Sequence, residues 1–396
     1  MGKQRSESYG ADSVLNVQPN SLVSVAYHHD FGAHEELLLM ELDEKLLPDV
    51  LSQRVSFRGQ LEENSVLCTK SKTYSIKFVG TSNSVFLIPP SQLLMDENAE
   101  GLSDEKEDGR VIAPVYKVAP GNMELIEIAP RLDRLKLLLS ENHVGISEMS
   151  ESEMVLDRDE GCKVLYSWED LVELVQASDD ELRSGLEALS AVEINGYWRI
   201  LDDKFIDYVL TMLLHNSVLA DWSLDALREN QVTDMLESDG VPRSIAAHCL
   251  RVYGSRVNED LEMESVWKLD ERKVCVHFAQ QVLKDGEMKM EKFMEEWIRK
   301  IPSGMHGSLD MLQGEILMEK IGIETWVRSF SVSSLPLNPA ERFSILFKVR
   351  PKWEWKDLEP FIRDLKVPGL SSEGLLLKYT RRTQPSLDVE PIFSAR

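Results

Sequence analysis

The sequence predicts an α+β multidomain protein in which a β-barrel-like N-terminal domain is followed by tandem winged-helix domains. Three observations carry this. Short, β-rich segments crowd residues 21–90, while capped amphipathic helices dominate beyond residue 164. Between them in character sits "AVEINGYWRILDD", residues 191–203, where Asn195-Gly196 separates two apolar runs. That is the strongest short-range signature of a two-residue hairpin turn.

The N-terminal elements come first. Residues 1–20 lack any apolar pattern and are expected to be flexible. "LVSVAYHH", "ELLLMELD", "RVSFRGQL", "SVLCTK", "TYSIKFVG" and "SVFLIPP" are short and rich in Val, Ile, Leu and aromatics, and Gly, Asn and Ser punctuate them, so each reads as a strand. Residues 95–110, "MDENAEGLSDEKEDGR", carry seven acidic side chains against Lys106 and Arg110 and read as a solvated loop. "VIAPVYKVA" and "MELIEIAP" supply two returning strands, and "RLDRLKLLLSENH", with Leu132, Leu135 and Leu139 at helical spacing, closes a domain over 21–144.

A polar, acidic linker over 145–163 leads to the first winged helix, 164–220. Ser167 with Asp170 and Ser178 with Glu181 have capping-box spacing, and each pair opens a leucine stripe. Two such helices followed by the Asn195-Gly196 hairpin make the helix, helix, wing order. Residues 221–269 read as a helical connection, with a helix from Pro242 to Gly254. "DERKVCVHFAQQVL" also looks like a connecting helix, and a second winged helix, bounded at 270–335, places Met290, Phe293, Trp297 and Ile301 on one stripe. Leu309, Leu312 and Ile316 suggest a further helix there, and "IETWVRSFSV" alternates as a strand. The third unit, 336–383, starts at Asn338 as N-cap with Pro339 behind it, and a tail runs over 384–396.

Composition limits the functions open to such a chain. A 43% hydrophobic fraction over 396 residues supports real cores. No apolar run reaches the roughly 18 residues of a membrane span, and the start lacks a secretory signal, so the expectation is a soluble intracellular protein with no membrane partner. Cys68, Cys162, Cys249 and Cys275 are far apart and form no C-x-x-C pair, which argues against zinc ribbons and disulfide frameworks. Nucleotide-binding glycine loops, H-E-x-x-H and G-x-S-x-G are all missing, so no cofactor is implied and an enzyme is not expected. "HHDFGAHEE", with His28, His29, Asp30 and His34, is the one histidine cluster; its spacing matches no familiar metal site, and a solvated polar turn is the simpler reading.

The formal charge of −24 repels polyanions over most of the surface. In the first unit, Asp179, Asp180, Glu181 and Glu187 against the single Arg183 turn that helix away from phosphates, which leaves protein binding, with Trp198 of the wing either an anchor or simply a packing residue. Residues 341–396 differ, with 11 basic and 8 acidic side chains, net +3. Lys348, Arg350, Lys352 and Lys356 interleave with Trp353 and Trp355, and Lys378, Arg381 and Arg382 follow at the expected end of the last helix. These seven residues are the candidate DNA contacts, mainly to phosphates and weakly sequence-selective; the plainer alternative is a set of cations balancing a helix dipole. A stand-alone winged-helix DNA-binding regulator also fits these features.

"VLCTKSKTYSIKFVGTSNSVFLIP", "INGYWRIL", "ERFSILFKVRPKW", and "FIRDL" followed by "LLLKY" together resemble the sister chromatid cohesion protein DCC family, a non-ATPase subunit of the alternative replication factor C clamp loader. The likeness runs from about residue 35 to 383, in the same order. It implies an N-terminal module built with the small cohesion subunit and the tail of the large AAA+ subunit, then three winged helices. It further implies a nuclear subunit that docks on the catalytic region of DNA polymerase epsilon, contacts DNA and helps target loading of PCNA. On this resemblance Trp198 and Arg199 fall in the polymerase-facing wing, and Lys378, Arg381 and Arg382 in the basic C-terminal segment.

Overall fold

The computed structural model describes residues 23–33, 36–52, 54–88, 111–141, 143–145, 164–257, 265–365, 367–384 and 390–396. Residues 1–20, expected to be flexible, residues 95–110, expected as an acidic loop, His34, Cys162 and nearly all of the expected linker 145–163 lie outside them. The chain divides into two compact units. One holds most of the residues up to Glu127; the other holds Ile128–Arg396 together with Arg58–Glu63 and Cys68–Thr73.

In the first unit, β1 (Val23–Tyr27) pairs in parallel with β5 (Val111–Val115). A short helix α1 (Leu47–Leu51) precedes β2 (Ser56–Arg58), β3 (Val66–Cys68), β4 (Thr73–Leu87) and, later, β6 (Lys117–Ile128). These four form a sheet in the order β2-β3-β4-β6. The barrel expectation is thereby corrected: among the described residues the sheet is open, with β2 and β6 at its edges, and β1-β5 stands as a separate pair. "ELLLMELD" builds no ladder and contributes a single bridge, Met40 to Met123. The segments read as two strands on either side of Gly80 are one strand, because Gly80 marks close backbone approach and not a stop. A Cβ on the facing Gly121 would stand 2.2 Å from the Val79 carbonyl oxygen, so only glycine allows β4 and β6 to meet there.

The second unit repeats one element order four times: helix, short strand, helix, helix, hairpin. The first repeat is α2 (Leu132–Ser140), α3 (Trp168–Leu174), α4 (Asp179–Ala188), β7 (Ala191–Ile194) and β8 (Tyr197–Ile200), with Tyr166 bridging to Trp198 in place of the short strand. Both expected capping boxes form. Asn195 and Gly196 adopt φ of 53° and 84°, the left-handed pair that a tight hairpin requires. The second repeat is α5 (Asp203–Leu219), β9 (Leu227–Arg228), α6 (Glu229–Ser238), α7 (Arg243–Tyr253), β10 (Gly254–Arg256) and β11 (Val266–Leu269). The span expected as a helical connection thus also holds a sheet.

The third repeat is α8 (Glu271–Val282), β12 (Met288–Lys289), α9 (Met290–Lys300), a 3-10 turn (Leu309–Leu312), β13 (Ile316–Ile321) and β14 (Glu324–Ser329). Here the helix expected from Leu309, Leu312 and Ile316 is corrected. Gly314 takes φ +80°, which breaks the run after one turn, and Ile316 begins a strand. The fourth repeat is α10 (Pro339–Val349), β15 (Lys352–Glu354), α11 (Trp355–Leu358), α12 (Ser372–Tyr379), β16 (Thr380–Thr383) and β17 (Ile392–Ala395). Asn338 caps its first helix by accepting from the Ala340 and Glu341 amides, as its sequence requires. Residues 392–395, expected as part of a tail, are its central strand. In the last three repeats the strand order is the same, with the second hairpin strand between the first and the short strand: β10-β11-β9, β12-β14-β13 and β15-β17-β16.

Three apolar cores follow this division. Leu135, Leu139, Leu171, Val175, Leu182 and Leu186 fill the first repeat. A larger core joins the second and third, where Phe293 stacks on Trp297 at 5.4 Å and the indole donates to the Cys275 carbonyl at 2.8 Å. Phe343, Leu346, Trp353, Leu358 and Phe393 build the last. Arg342, 1% exposed, is tolerated beside it because its guanidinium donates to the Pro336 and Phe361 carbonyls and pairs with Asp364.

Burial in α7 pushes the His248 imidazole down to about 4, only partly offset by its hydrogen bond to the Ser190 carbonyl. The unfolded chain therefore takes up a proton near pH 6.5 that the folded chain refuses until about pH 4. Stability from this residue is complete above pH 6.5 and is lost as pH falls through that window, by up to about 3 kcal/mol. Urea titrations at pH 7 and pH 4.5 should show His248→Gln losing less stability on acidification than the parent chain, by about 2 kcal/mol.

Candidate nucleic-acid and protein interfaces

The basic residues of the last repeat are organised by its sheet. Register places Lys352, Ser394 and Arg381 in one cross-strand row and Trp353, Phe393 and Arg382 in the next. Trp353 and Phe393 are buried, so their side chains face the core, while Arg382 at the sheet edge stays exposed. Alternation along a strand then turns Lys352, Ser394 and Arg381 outward, with the two cations about 10 Å apart, two strand spacings. This corrects the expectation for Arg381 and Arg382, which lie on β16 and not at a helix end. Helix α12 stops at Tyr379; the Thr380 hydroxyl donates to the Leu376 carbonyl, and residues 380–383 join the ladder.

The seven predicted contacts fall into two groups. Arg350 pairs with Asp357 at 2.9 Å, donates to the Met318 carbonyl and lies 4.8 Å from the Trp353 ring centre. Lys356 pairs with Glu354 at 2.8 Å; that contact holds the Glu354 carboxyl below its ordinary range and the ammonium above its own. These two are committed to intrachain carboxylates. Lys348, Lys352, Lys378 and Arg381 are exposed and, among the described residues, have no carboxylate partner. Lys378 sits 5.2 Å over the Tyr379 ring, and Arg382 donates to the Gln384 side chain at 2.9 Å.

The β7–β8 hairpin, expected as a wing, divides its residues between core and surface. Trp198 is half-buried and packs with Ile200 against the first core. Arg199 is 4% exposed, and its guanidinium donates to the His143 carbonyl, so it does not present a charge on this surface. Tyr197, at the hairpin's turn, is the exposed aromatic that sequence reasoning passed over, and its place beside Asn195-Gly196 was the available signal. The acidic start of α4 is also spent internally. Asp179 and the Ala177 carbonyl take the buried Arg58 guanidinium, while the Thr73 hydroxyl donates to Glu181 at 2.6 Å and accepts from the Ser178 amide at 2.9 Å.

Among the described residues, His28, His29 and Asp30 bring their ligand atoms within 4.8 Å of one another, and several other groups that could do chemistry are engaged by neighbours. The His28 Nδ1 accepts the Asp30 amide at 3.2 Å, and its ring packs 3.9 Å from His29 and 4.1 Å from Tyr116. His29 reaches the Asp30 carboxylate at 3.1 Å. His277 lies between the Tyr253 hydroxyl, 2.9 Å, and Asp207, 2.8 Å. Cys249 and Cys275 are buried thiols pushed up to about 12 and about 11, which leaves little thiolate for nucleophilic work. No helix among the described residues is long and apolar enough to cross a membrane.

The first unit presents a contrasting surface. Tyr27, Leu38, Leu51 and Phe57 are between 61% and 75% exposed, and Phe78, Phe86 and Ile126 of β4 and β6 are also on the surface. Among the described residues, none of the three apolar cores draws on this unit.

The outward row depends on β17 being held by Phe393. Phe393→Ala should cost about 3–5 kcal/mol. In urea unfolding it should free the last sheet, read as early exchange of the Trp353 and Arg381 amides, while the first core's amides stay protected.

Comparison with known proteins adds a third line of observation. A family model described as Sister chromatid cohesion protein Dcc1 matches residues 37–362. The Sister chromatid cohesion protein DCC1 of Danio rerio is 32% identical over 383 residues, covering 95% of this chain and 94% of that protein. Its Homo sapiens counterpart is 32% identical over 362 residues, covering 88% and 86%. The protein of the same name from Saccharomyces cerevisiae is 24% identical over 364 residues, covering 87% and 92%.

Proposed function

Since this chain belongs to the sister chromatid cohesion protein Dcc1 family, we propose that it is a non-catalytic subunit of an alternative replication factor C clamp loader, acting in the nucleus to target PCNA loading to replication forks. The observation that carries the reading is the first unit's surface. Patches of exposed aromatic and aliphatic side chains on a sheet with open edges mark a surface built to be covered by other chains. The small cohesion subunit and the tail of the large AAA+ subunit are the proposed coverings, and they complete the barrel that this chain leaves open.

The four repeats of the second unit are read as winged helices, because each ends in a hairpin laid against the two helices before it. The first, whose Asp179 and Glu181 are committed to internal contacts, offers Tyr197 and the edge of Trp198 to the catalytic region of polymerase epsilon. The last offers Lys352, Arg381, Lys378 and Lys348 to phosphates. With no cluster of Arg, Asn and Gln for base edges, DNA contact is weak, sequence-tolerant and steep in salt. PCNA is engaged only through the assembled loader.

Expression alone and with the two partner subunits tests the assembly reading. Co-expression should raise the soluble yield severalfold and recover the partners with this chain, and Phe57→Asp should abolish that gain; equal solubility alone, with no partner recovered, rules the reading out. For DNA, Lys352→Glu, Lys378→Glu and Arg381→Glu together should weaken retention of the co-expressed complex at 50 mM salt by 100-fold or more, on the order expected for three phosphate contacts. Assembly should be unchanged.

A further inference from the structure

The hairpin of the third repeat ends in Ile321-Gly322-Ile323. Ile321 pairs with Glu324, so Gly322 and Ile323 form a two-residue turn, and Gly322 at φ +68° takes its first central position. That place calls for glycine; nothing in turn geometry calls for isoleucine beside it, where polar residues are the usual choice. Ile323 is fully exposed, Ile321 is 54% exposed, and Met318 lower on the same strand is also on the surface. Two β-branched aliphatic side chains therefore stand at the turn end of the hairpin, without cover from the described residues.

What stands beside that point identifies its partner. Arg350 of the last repeat donates to the Met318 carbonyl, which ties β13 to the start of the basic sheet. Lys320, beside Ile321 on β13, is a further cation that lowers the Glu354 carboxyl after Lys356 and Arg350, so β13 runs beside the sheet that carries Lys352; alternation puts the Ile321 side chain on the other face of the strand from Lys320, with Ile323 at the turn beyond both. The carboxylate at the turn, Glu324, is neutralised by Lys289 at 2.6 Å. Glu319 is the opposing charge that remains on β13.

We propose that Ile321 and Ile323 form an apolar wedge that packs against the bases of DNA whose phosphates the adjoining basic row holds. Cations on a sheet fix the backbone but say nothing about the state of the bases. Apolar side chains inserted between base steps do, because unstacking is easiest where pairing is already broken. The wedge thus gives a sequence-blind surface a preference for a junction between duplex and single strand. This rests on the DNA contact proposed above.

The test uses the full chain in its co-expressed complex and two probes of matched sequence, a primer-template junction carrying 2-aminopurine at the first unpaired position and a blunt duplex. The parent complex should favour the junction about tenfold and raise the 2-aminopurine fluorescence. Ile321→Ser with Ile323→Ser should remove both the preference and the fluorescence rise while leaving the salt slope unchanged; Ile323→Leu should keep both. Lys352→Gln with Arg381→Gln should instead lower the salt slope by about 2 and keep the fluorescence rise at saturation. A double Ser variant that prefers the junction and lights the probe like the parent overturns the wedge alone. A parent complex that binds neither probe overturns the basic face and the wedge with it. Loss of a bound protein from the double Ser variant, with DNA binding intact, assigns the tip to a protein and overturns the proposal too.

Discussion

The second unit depends on one constraint: a bundle of three short helices leaves one end of its core open, and the second strand of a hairpin must come back to seal it. Each repeat meets this by threading that strand between two others. In the last repeat Trp353 and Phe393, far apart in sequence, become cross-strand neighbours over the same core. In the second, Leu227 faces Trp267. At Asn195-Gly196 and Gly322-Ile323 the turn residues are exposed, and they are free to be chosen for what they touch outside the chain.

That constraint also explains which parts of the fold were legible. The capping boxes at Ser167 and Ser178, the leucine stripes and the Asn195-Gly196 turn are signals between near neighbours, and the structure forms all of them. Strand β17 carries no such signal. Its four residues, Ile392 and Phe393 followed by Ser394 and Ala395, are too short a run to show a period and are defined by pairing with β15 and β16. The 3-10 turn and strand over 309–321 were hidden for a related reason: Leu309, Leu312 and Ile316 fit a helical period, and only Gly314 shows that the period is broken. In the first unit, Gly80 looked like punctuation because its partner, Gly121, is forty-one residues away. Site residues divide in the same manner. Lys352 and Arg381 were found by charge, but that they share one face was set by register, and the burial of Arg199 was set by its tertiary neighbours.

Charge counted along the sequence was a poor guide to charge on the surface. The acidic start of α4 appeared to be a repelling face, yet Asp179 and Glu181 are bound to Arg58 and Thr73, two residues more than a hundred positions earlier. Arg58 can be buried because both a carboxylate and a backbone carbonyl satisfy it, and Asp179 and Glu181 double as favourable charges at a helix N-terminus. The same accounting removes Arg350 and Lys356 from the free cations of the last repeat. What remains is small enough that binding to a polyanion by a chain of net charge −24 has to be local and weak.

Weak contact is what the proposed targeting role needs. A chain that held DNA tightly through one surface would stay where it first landed, whereas several modest surfaces on one scaffold act together only when all their partners are present. Joining them converts the second encounter into an intramolecular one, at an effective concentration set by the spacing of the repeats, and the gain reaches about 10²–10⁴-fold without any single strong site. Repeats closed by their own hairpins suit that task, since each can change its exposed turn without disturbing the next core. Exposed isoleucines at one turn, a tyrosine at another and a lysine-arginine row on a third sheet are three different surfaces cut from one repeated design.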